Sequence, residues 1–187
     1  IQLVKEIATI NCSVTNAKLF LQSNFSNILA FRIGGEWTHA AIKPDVSLIE
    51  FGNFSDNFWD LFSSLYADTY DHPYFPKKGQ QALVEAKFIT SINLEPITYF
   101  QLKYRFAQKL SKQFTLIPSV YGGITLGDSI PIQYSFPLGG LTGIDRFGHM
   151  PFIGYKYFET GNYNVIFGRL DLQFQIRKNM YLILMGN

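Results

Sequence analysis

The chain has 187 residues, of which 17% are aromatic and 16% are charged. Typical soluble domains carry roughly 25% charged residues, so this shortage of charge favours a chain with lipid or a partner over much of its outside. The net charge of +2 and the dispersed lysines and arginines argue against nucleic acid as a partner. No segment approaches the roughly 20 apolar residues of a transmembrane helix, so any membrane crossing must use strands.

The first part of the chain is predicted to form strands joined by polar turns. Short strands are expected at residues 5–14 and 17–22, and a longer strand at residues 28–37. Residues 44–57 are polar and rich in turn-forming types, which is typical of a connection.

The next segment has two interpretations. Apolar residues recur there at spacings of three and four, as in an amphipathic helix, and Ser55 is available as its N-cap. A strand is the competing interpretation, because helix periodicity over so short a window is weak evidence. Strands are then predicted at residues 65–71 and 81–90. The residues with the helical spacing are Phe54, Phe58, Leu61, Phe62 and Leu65.

Residues 97–108 and 163–177 alternate between apolar and polar side chains with a period of two. Each is therefore predicted to be a strand with one apolar and one charged face. Short connections pair them with residues 114–121 and 180–185 as antiparallel hairpins. The charged faces carry Lys103, Arg105, Arg169 and Asp171.

Two environments suit such a charged face. It either lies in bulk water, as in a soluble sheet, or lines the wet lumen of a membrane barrel whose apolar face meets lipid. In the barrel, the four charged residues are candidate lumen-facing groups. The residues expected to face lipid or a packed apolar layer are Phe100, Leu102, Leu170, Leu172 and Phe174.

A Gly/Pro-rich connection is predicted at residues 122–151, followed by a strand at 152–158 and a turn at 160–162. The total is about nine or ten strands, of a length suited to tilted membrane strands of roughly 9–11 residues. The predicted fold is all-β, an antiparallel up-and-down β-barrel or part of an outer-membrane-type barrel. Residues 1–187 are expected to form a single barrel domain or barrel fragment.

The search for catalytic, metal and cofactor sites is negative. The three histidines, His39, His72 and His149, share no metal-ligand spacing. Residues 127–131 begin like a nucleophile elbow, but Pro131 replaces its closing glycine. Residues 139–143 are glycine-rich without the lysine of a P-loop, which favours a loop over a phosphate cradle. The fragment is therefore not expected to be an enzyme or to hold a cofactor.

Three segments resemble a known family. Residues 68–79, which read DTYDHPYFPKKG, are similar to the strand-turn-strand pattern of the carboxy-terminal barrels of the bacterial surface antigen superfamily. Residues 136–140, FPLGG, resemble a later segment of these barrels. Residues 151–155, PFIGY, resemble the strand start of the barrels fused to patatin-like phospholipases in Bacteroidetes. The resemblance covers roughly residues 60–187.

The resemblance implies a bacterial outer-membrane location and a role as membrane anchor or secretion pore. It also implies a patatin-like hydrolase upstream of residue 1, in a parent protein concerned with lipid metabolism. The family's lumen loop usually carries Arg-Gly-Phe or Arg-Gly-Tyr, whereas Arg146 here lacks the following glycine. The candidate lumen loop is Gly139, Gly140 and Arg146, and the structural turn is Phe75, Pro76 and Gly79.

The main alternative is a soluble β-barrel or sandwich that binds an apolar ligand or a glycan, with aromatic side chains inside. In the membrane interpretation, the expected partners are a lipid bilayer or detergent and the upstream hydrolase. The start at Ile1 and the lack of a terminal aromatic residue suggest an incomplete barrel. An open strand edge would then recruit another strand, which makes a homo-oligomer a further expectation.

Overall fold

A computed structural model of the protein describes residues 8–47, 54–141, 148–157, 159–178 and 180–187. These residues form ten strands and one short 3-10 helix, Ile132–Tyr134. No helix among them is long and apolar enough to cross a membrane. The strands are β1 (Ala8–Phe25), β2 (Leu29–Ser47), β3 (Phe54–Asp68), β4 (Lys78–Ser91), β5 (Ile97–Lys109), β6 (Phe114–Leu126), β7 (Phe136–Leu138), β8 (Thr160–Asn162), β9 (Asn164–Arg177) and β10 (Met180–Gly186).

Eight strands form one sheet in the order β1-β2-β3-β4-β5-β6-β9-β10, and every neighbouring pair is antiparallel. This arrangement confirms the predicted all-β, up-and-down architecture. The short strands β7 and β8 pair with each other inside the connection between β6 and β9. Within the described ranges, β1 pairs with β2 alone and β10 with β9 alone.

Both predicted hairpins are confirmed, as β5–β6 and β9–β10. β6 continues to Leu126, farther than its alternation indicated. The two short strands predicted near the start are one strand, because β2 pairs with β1 along its length. The predicted connection at residues 44–57 is shorter, since β2 continues to Ser47 and β3 begins at Phe54. Residues 48–53 lie outside the described residues.

The segment with two interpretations is a strand, β3. Phe58 and Phe62 are buried on one face, whereas Leu61 and Leu65 are exposed on the other. Both faces of this strand carry apolar side chains, so their combined spacing resembles that of a helix. The segment is a strand because it pairs along its length with β2 on one side and with β4 on the other.

Two predictions in the long connection are wrong. Residues 152–157 form turns and not a strand, and residue 158 lies outside the described residues. Residues 160–162, predicted as a turn, are strand β8, which pairs with β7. The Phe152 ring packs against the Phe167 ring of β9, with 5.2 Å between the centroids. Phe152 therefore makes an apolar contact with the sheet although its own segment is not a strand.

The sheet has one buried, concave face, called the inner wall below. On β5, Tyr99, Gln101 and Ala107 are buried, whereas the alternate residues Phe100 and Leu102 are exposed. The turn at residues 69–77 folds across this face. Its Lys77 Nζ donates to Gln175 Oε1 on β9 at 2.6 Å. This hydrogen bond joins the turn to β9, which lies three strands away from β4 in the sheet.

Candidate functional site

The four charged residues predicted to face a lumen lie on the inner wall. Lys103 and Arg105 are half-buried on β5. On β9, Arg169 is 8% exposed and Asp171 is 3% exposed. Burying charged groups costs several kcal/mol unless they are paired, so each should have a partner.

Asp171 lies between the two arginines. Arg169 Nε donates to Asp171 Oδ1 at 2.7 Å, and Arg105 Nη2 is 3.8 Å from Asp171 Oδ2. The remaining nitrogens of Arg169 contact the Leu141 carbonyl oxygen at 2.7 Å and Met185 Sδ at 2.9 Å. The structure therefore brings three of the four predicted residues into one ion-pair cluster that joins β5 to β9.

The long connection between β6 and β9 packs against the inner wall. Phe136, His149 and Met150 are fully buried in it. Donors on the wall bind its backbone, because Gln101 Nε2 donates to the Gly148 carbonyl oxygen at 3.2 Å and Lys103 Nζ donates to the His149 carbonyl oxygen at 3.1 Å. Lys103 thus contacts the connection.

The candidate lumen loop lies in this connection. Gly139 and Gly140 both have positive φ, +135° and +73°. A Cβ at Gly139 would collide with the Lys156 carbonyl oxygen, so no other residue fits there without rearrangement. His149 Nε2 and the Gly139 carbonyl oxygen are 2.8 Å apart. Burial lowers the pKa of His149, against the opposing effect of the hydrogen bond to the Gly139 carbonyl oxygen, and the Lys103 ammonium adds to the lowering. Arg146 lies outside the described residues.

The predicted structural turn is residues 69–77, with Phe75 and Pro76 near its end and Gly79 at the start of β4. The Phe75 ring stacks on Tyr181 of β10 with centroids 4.2 Å apart, and Pro76 is buried. Gly79 has a φ of +102°, and a Cβ there would collide with the Thr69 carbonyl oxygen. Sequence reasoning missed Asp71, whose Oδ1 accepts hydrogen bonds from the backbone N–H groups of residues 77 and 78. An aspartate before a tight turn is the signal that could have identified it.

A polar cavity of about 810 Å³ lies in front of β1–β5. Glu36 forms ion pairs with Lys18 and Lys87, with a nitrogen–oxygen distance of 3.6 Å in each pair. Tyr134 of the connection donates its hydroxyl to Asp60 Oδ1 at 3.0 Å. Sequence reasoning did not identify these groups as a site, although Lys18, Glu36, Asp60 and Lys87 each lie on the inward-facing side of their strand. In the described ranges, no three His, Cys, Asp or Glu side chains group closely enough to hold a metal ion.

The opposite face of the sheet is apolar and exposed. Leu102 is 41% exposed and Leu170 is 50% exposed, whereas neighbouring Arg169 and Asp171 are buried. A soluble barrel has the reverse distribution, with apolar side chains inside. Apolar side chains outside and polar side chains inside are typical of a membrane β-barrel wall. The fold and this distribution define a protein of the outer-membrane barrel class.

Comparison with known families agrees with that class. The family model of the OMP85 superfamily, to which the bacterial surface antigen type belongs, matches residues 2–187. The chain therefore belongs to the OMP85 superfamily, a family of bacterial outer-membrane barrels. The matched domain is a barrel and not a catalytic domain. No curated protein matches the sequence significantly.

Proposed function

We propose that this chain is a membrane-embedded wall of a bacterial outer-membrane barrel, and that it serves as an anchor or a secretion pore. The observation that carries the proposal is the division of β5 and β9 into a buried charged face and an exposed apolar face. Lipid is the solvent that suits such an exposed apolar face. Membership of the OMP85 superfamily supports the same location.

The lengths of the connections support an orientation in the membrane. At one end of the sheet, the connections are residues 26–28, 69–77, 110–113 and 178–179. At the other end, the connections are residues 48–53, 92–96 and 127–163, of which the last, between β6 and β9, is the longest in the sheet. Outer-membrane barrels have short periplasmic turns and longer extracellular loops. We therefore assign the end with residues 69–77 to the periplasm.

The connection at residues 127–163 bears on the choice between anchor and pore. Its buried residues, including Phe136 and Met150, occupy space in front of the inner wall. A pore would require this connection to move, whereas an anchor would not. This packing supports an anchor role in the conformation described.

The parent protein is proposed to carry a patatin-like hydrolase upstream of residue 1. Support comes from the resemblance of residues 151–155 to the strand start of patatin-fused barrels, whereas residues 136–140 resemble a segment of the wider superfamily. In the structure, these segments lie close together, because the Gly140 N–H donates to the Tyr155 carbonyl oxygen at 2.9 Å. Sequencing the gene upstream of residue 1 tests this part of the proposal directly.

Leu170→Arg tests the membrane location. Leu170 lies near the middle of β9 and is half exposed, so an arginine there needs no space in a packed core. In lipid, arginine near the midplane costs about 2–4 kcal/mol, whereas on a soluble surface its cost is within about 0.5 kcal/mol. The free energy of unfolding from liposomes, by urea titration, measures the difference, with Leu170→Ala as the control for lost contacts.

Equal stability of Leu170→Arg and Leu170→Ala would contradict the membrane location.

The same preparations test the proposed homo-oligomer. The edges of β1 and β10 lack a partner strand in the part of the chain that the structure describes, and exposed edges recruit further strands. Light scattering in detergent reports whether a second copy associates, and a stable monomer at all concentrations would argue against it.

A further inference from the structure

Five buried side-chain atoms lack a hydrogen-bond partner among the described residues: Gln133 Nε2 borders the polar cavity, Gln173 Oε1 is an acceptor, and the other three are donors on or beside the inner wall. These three donors are Nε of Arg105, the hydroxyl of Ser119 and the hydroxyl of Tyr70. None of the three has a hydrogen-bond partner among the described residues. Buried polar groups in native proteins are nearly always paired, so orphaned donors indicate a bound water or ion.

The register of the sheet places two of these donors side by side. Arg105 of β5 pairs directly with Ser119 of β6, and Ser119 pairs directly with Arg169 of β9. Side chains of directly opposed residues share a face, with their Cβ atoms about 4.5–5.5 Å apart. Ser119 is 3% exposed, so bulk water does not supply its missing partner freely.

The third donor comes from the turn that crosses the inner wall. Burial raises the pKa of Tyr70 to about 12, although the Arg105 guanidinium acts in the opposite direction. Gln81 of β4 is opposed to Asp68 on one side and to Arg105 on the other, so Tyr70, two residues after Asp68, leaves β3 on the row of the inner wall that carries Arg105 and Ser119. The hydroxyl keeps its proton at neutral pH and remains a hydrogen-bond donor.

The two arginines near these donors have one ion-pair partner between them, whereas the nearby Asp68 carboxylate accepts from the Tyr66 hydroxyl, Gln81 Nε2 and the Tyr70 N–H and from no cation among the described residues. Arg105 and Arg169 share one carboxylate, Asp171. Lys77 adds a third cation at the same end of the wall, where its Nζ contacts the neutral Gln175. Each guanidinium nitrogen of Arg169 has a partner in Asp171, Leu141 or Met185, whereas Nε of Arg105 has none among the described residues. Half-buried excess cations are stabilised by a counter-ion.

We propose that Arg105, Ser119 and Tyr70 form a binding site for a small tetrahedral oxyanion of the phosphate type. Three or more oxygens on one centre accept from all three donors, and a guanidinium suits such an anion in charge and geometry. Arg169 contributes positive charge to the site without contacting the anion. The site faces away from the exposed apolar face, so the anion comes from solution and not from a lipid headgroup.

Titration with inorganic phosphate tests the site. The protein is refolded in a neutral, phosphate-free detergent, and phosphate is added against chloride at constant ionic strength. We expect saturable binding by calorimetry and a matching rise in the unfolding midpoint. Ser119→Ala and Tyr70→Phe should each weaken phosphate affinity about tenfold, and Arg105→Gln should abolish binding. The control Arg32→Gln changes an exposed cation on β2 and should leave the affinity unchanged.

Three outcomes would overturn the proposal. If phosphate acts no differently from chloride, the orphaned donors bind water. If Ser119→Ala and Tyr70→Phe keep the parent affinity, phosphate binds elsewhere, and this result decides the matter even when Arg105→Gln fails to fold. If a short-chain phospholipid binds and inorganic phosphate does not, the anion is a lipid headgroup and the assigned source is wrong.

Discussion

β1 and β9 belong to the same sheet but differ in burial. Along β1, residues 13–25 are exposed on both faces. Along β9, Arg169, Asp171 and Gln173 are buried, and Leu170 between them is exposed. The connection after β6 and the turn at residues 69–77 lie against β9 and its neighbours, whereas β1 faces the polar cavity. The comparison indicates that the segments packed on the inner wall contribute to the burial of its side chains at β9.

The largest expected loss of stability distinguishes Phe136, in the connection that packs on the inner wall, from Phe20 on β1. Phe136 is fully buried, stacks on Tyr99 with centroids 4.8 Å apart and fills the space above Gly123. Phe136→Ala should destabilise the protein by about 3–5 kcal/mol, since it leaves a cavity. Phe20 on β1 is 44% exposed, and Phe20→Ala should cost about 1–2 kcal/mol. Urea unfolding in detergent measures both, and equal losses would contradict the comparison.

An intermediate effect is expected in the turn that crosses to β9. Gly79→Val forces a branched side chain into a positive-φ position and against the Thr69 carbonyl oxygen. Strain of this kind costs about 1–3 kcal/mol, and the collision adds to it. Lys78→Ala removes an exposed side chain from the adjacent position and should change stability by about 0.5 kcal/mol or less. If a denaturation series finds the two variants equally stable, the turn has no special backbone requirement.

The smallest expected effect is a pH dependence of stability that comes from His149, in the connection between β6 and β9. Burial lowers its pKa in the folded protein, so the unfolded chain binds the proton more readily. Its contribution to stability is therefore present above the ordinary pKa of 6.5 and is lost as the pH falls below it. Unfolding of the parent and of His149→Gln between pH 5 and 8 tests this, and parallel profiles for the two proteins would contradict it.

The sequence by itself determined the strands with clear alternation. On β5 and β9, successive residues alternate between an apolar outer face and a polar inner face. Their residue types therefore alternate with a period of two, which is visible in the sequence. β3 was ambiguous because apolar side chains occur on both of its faces. The family resemblance was also available from sequence, since it depends on short motifs such as residues 68–79.

The tertiary structure alone decided what fills the inner wall. The pairing of β7 with β8 joins segments more than twenty residues apart along the chain, and no local pattern predicts it. The cluster of Arg105, Arg169 and Asp171 depends on β6 lying between β5 and β9, and on the register that opposes Ser119 to both arginines. Sequence alternation assigns a side chain to a face, but strand order and register determine which side chains meet on that face.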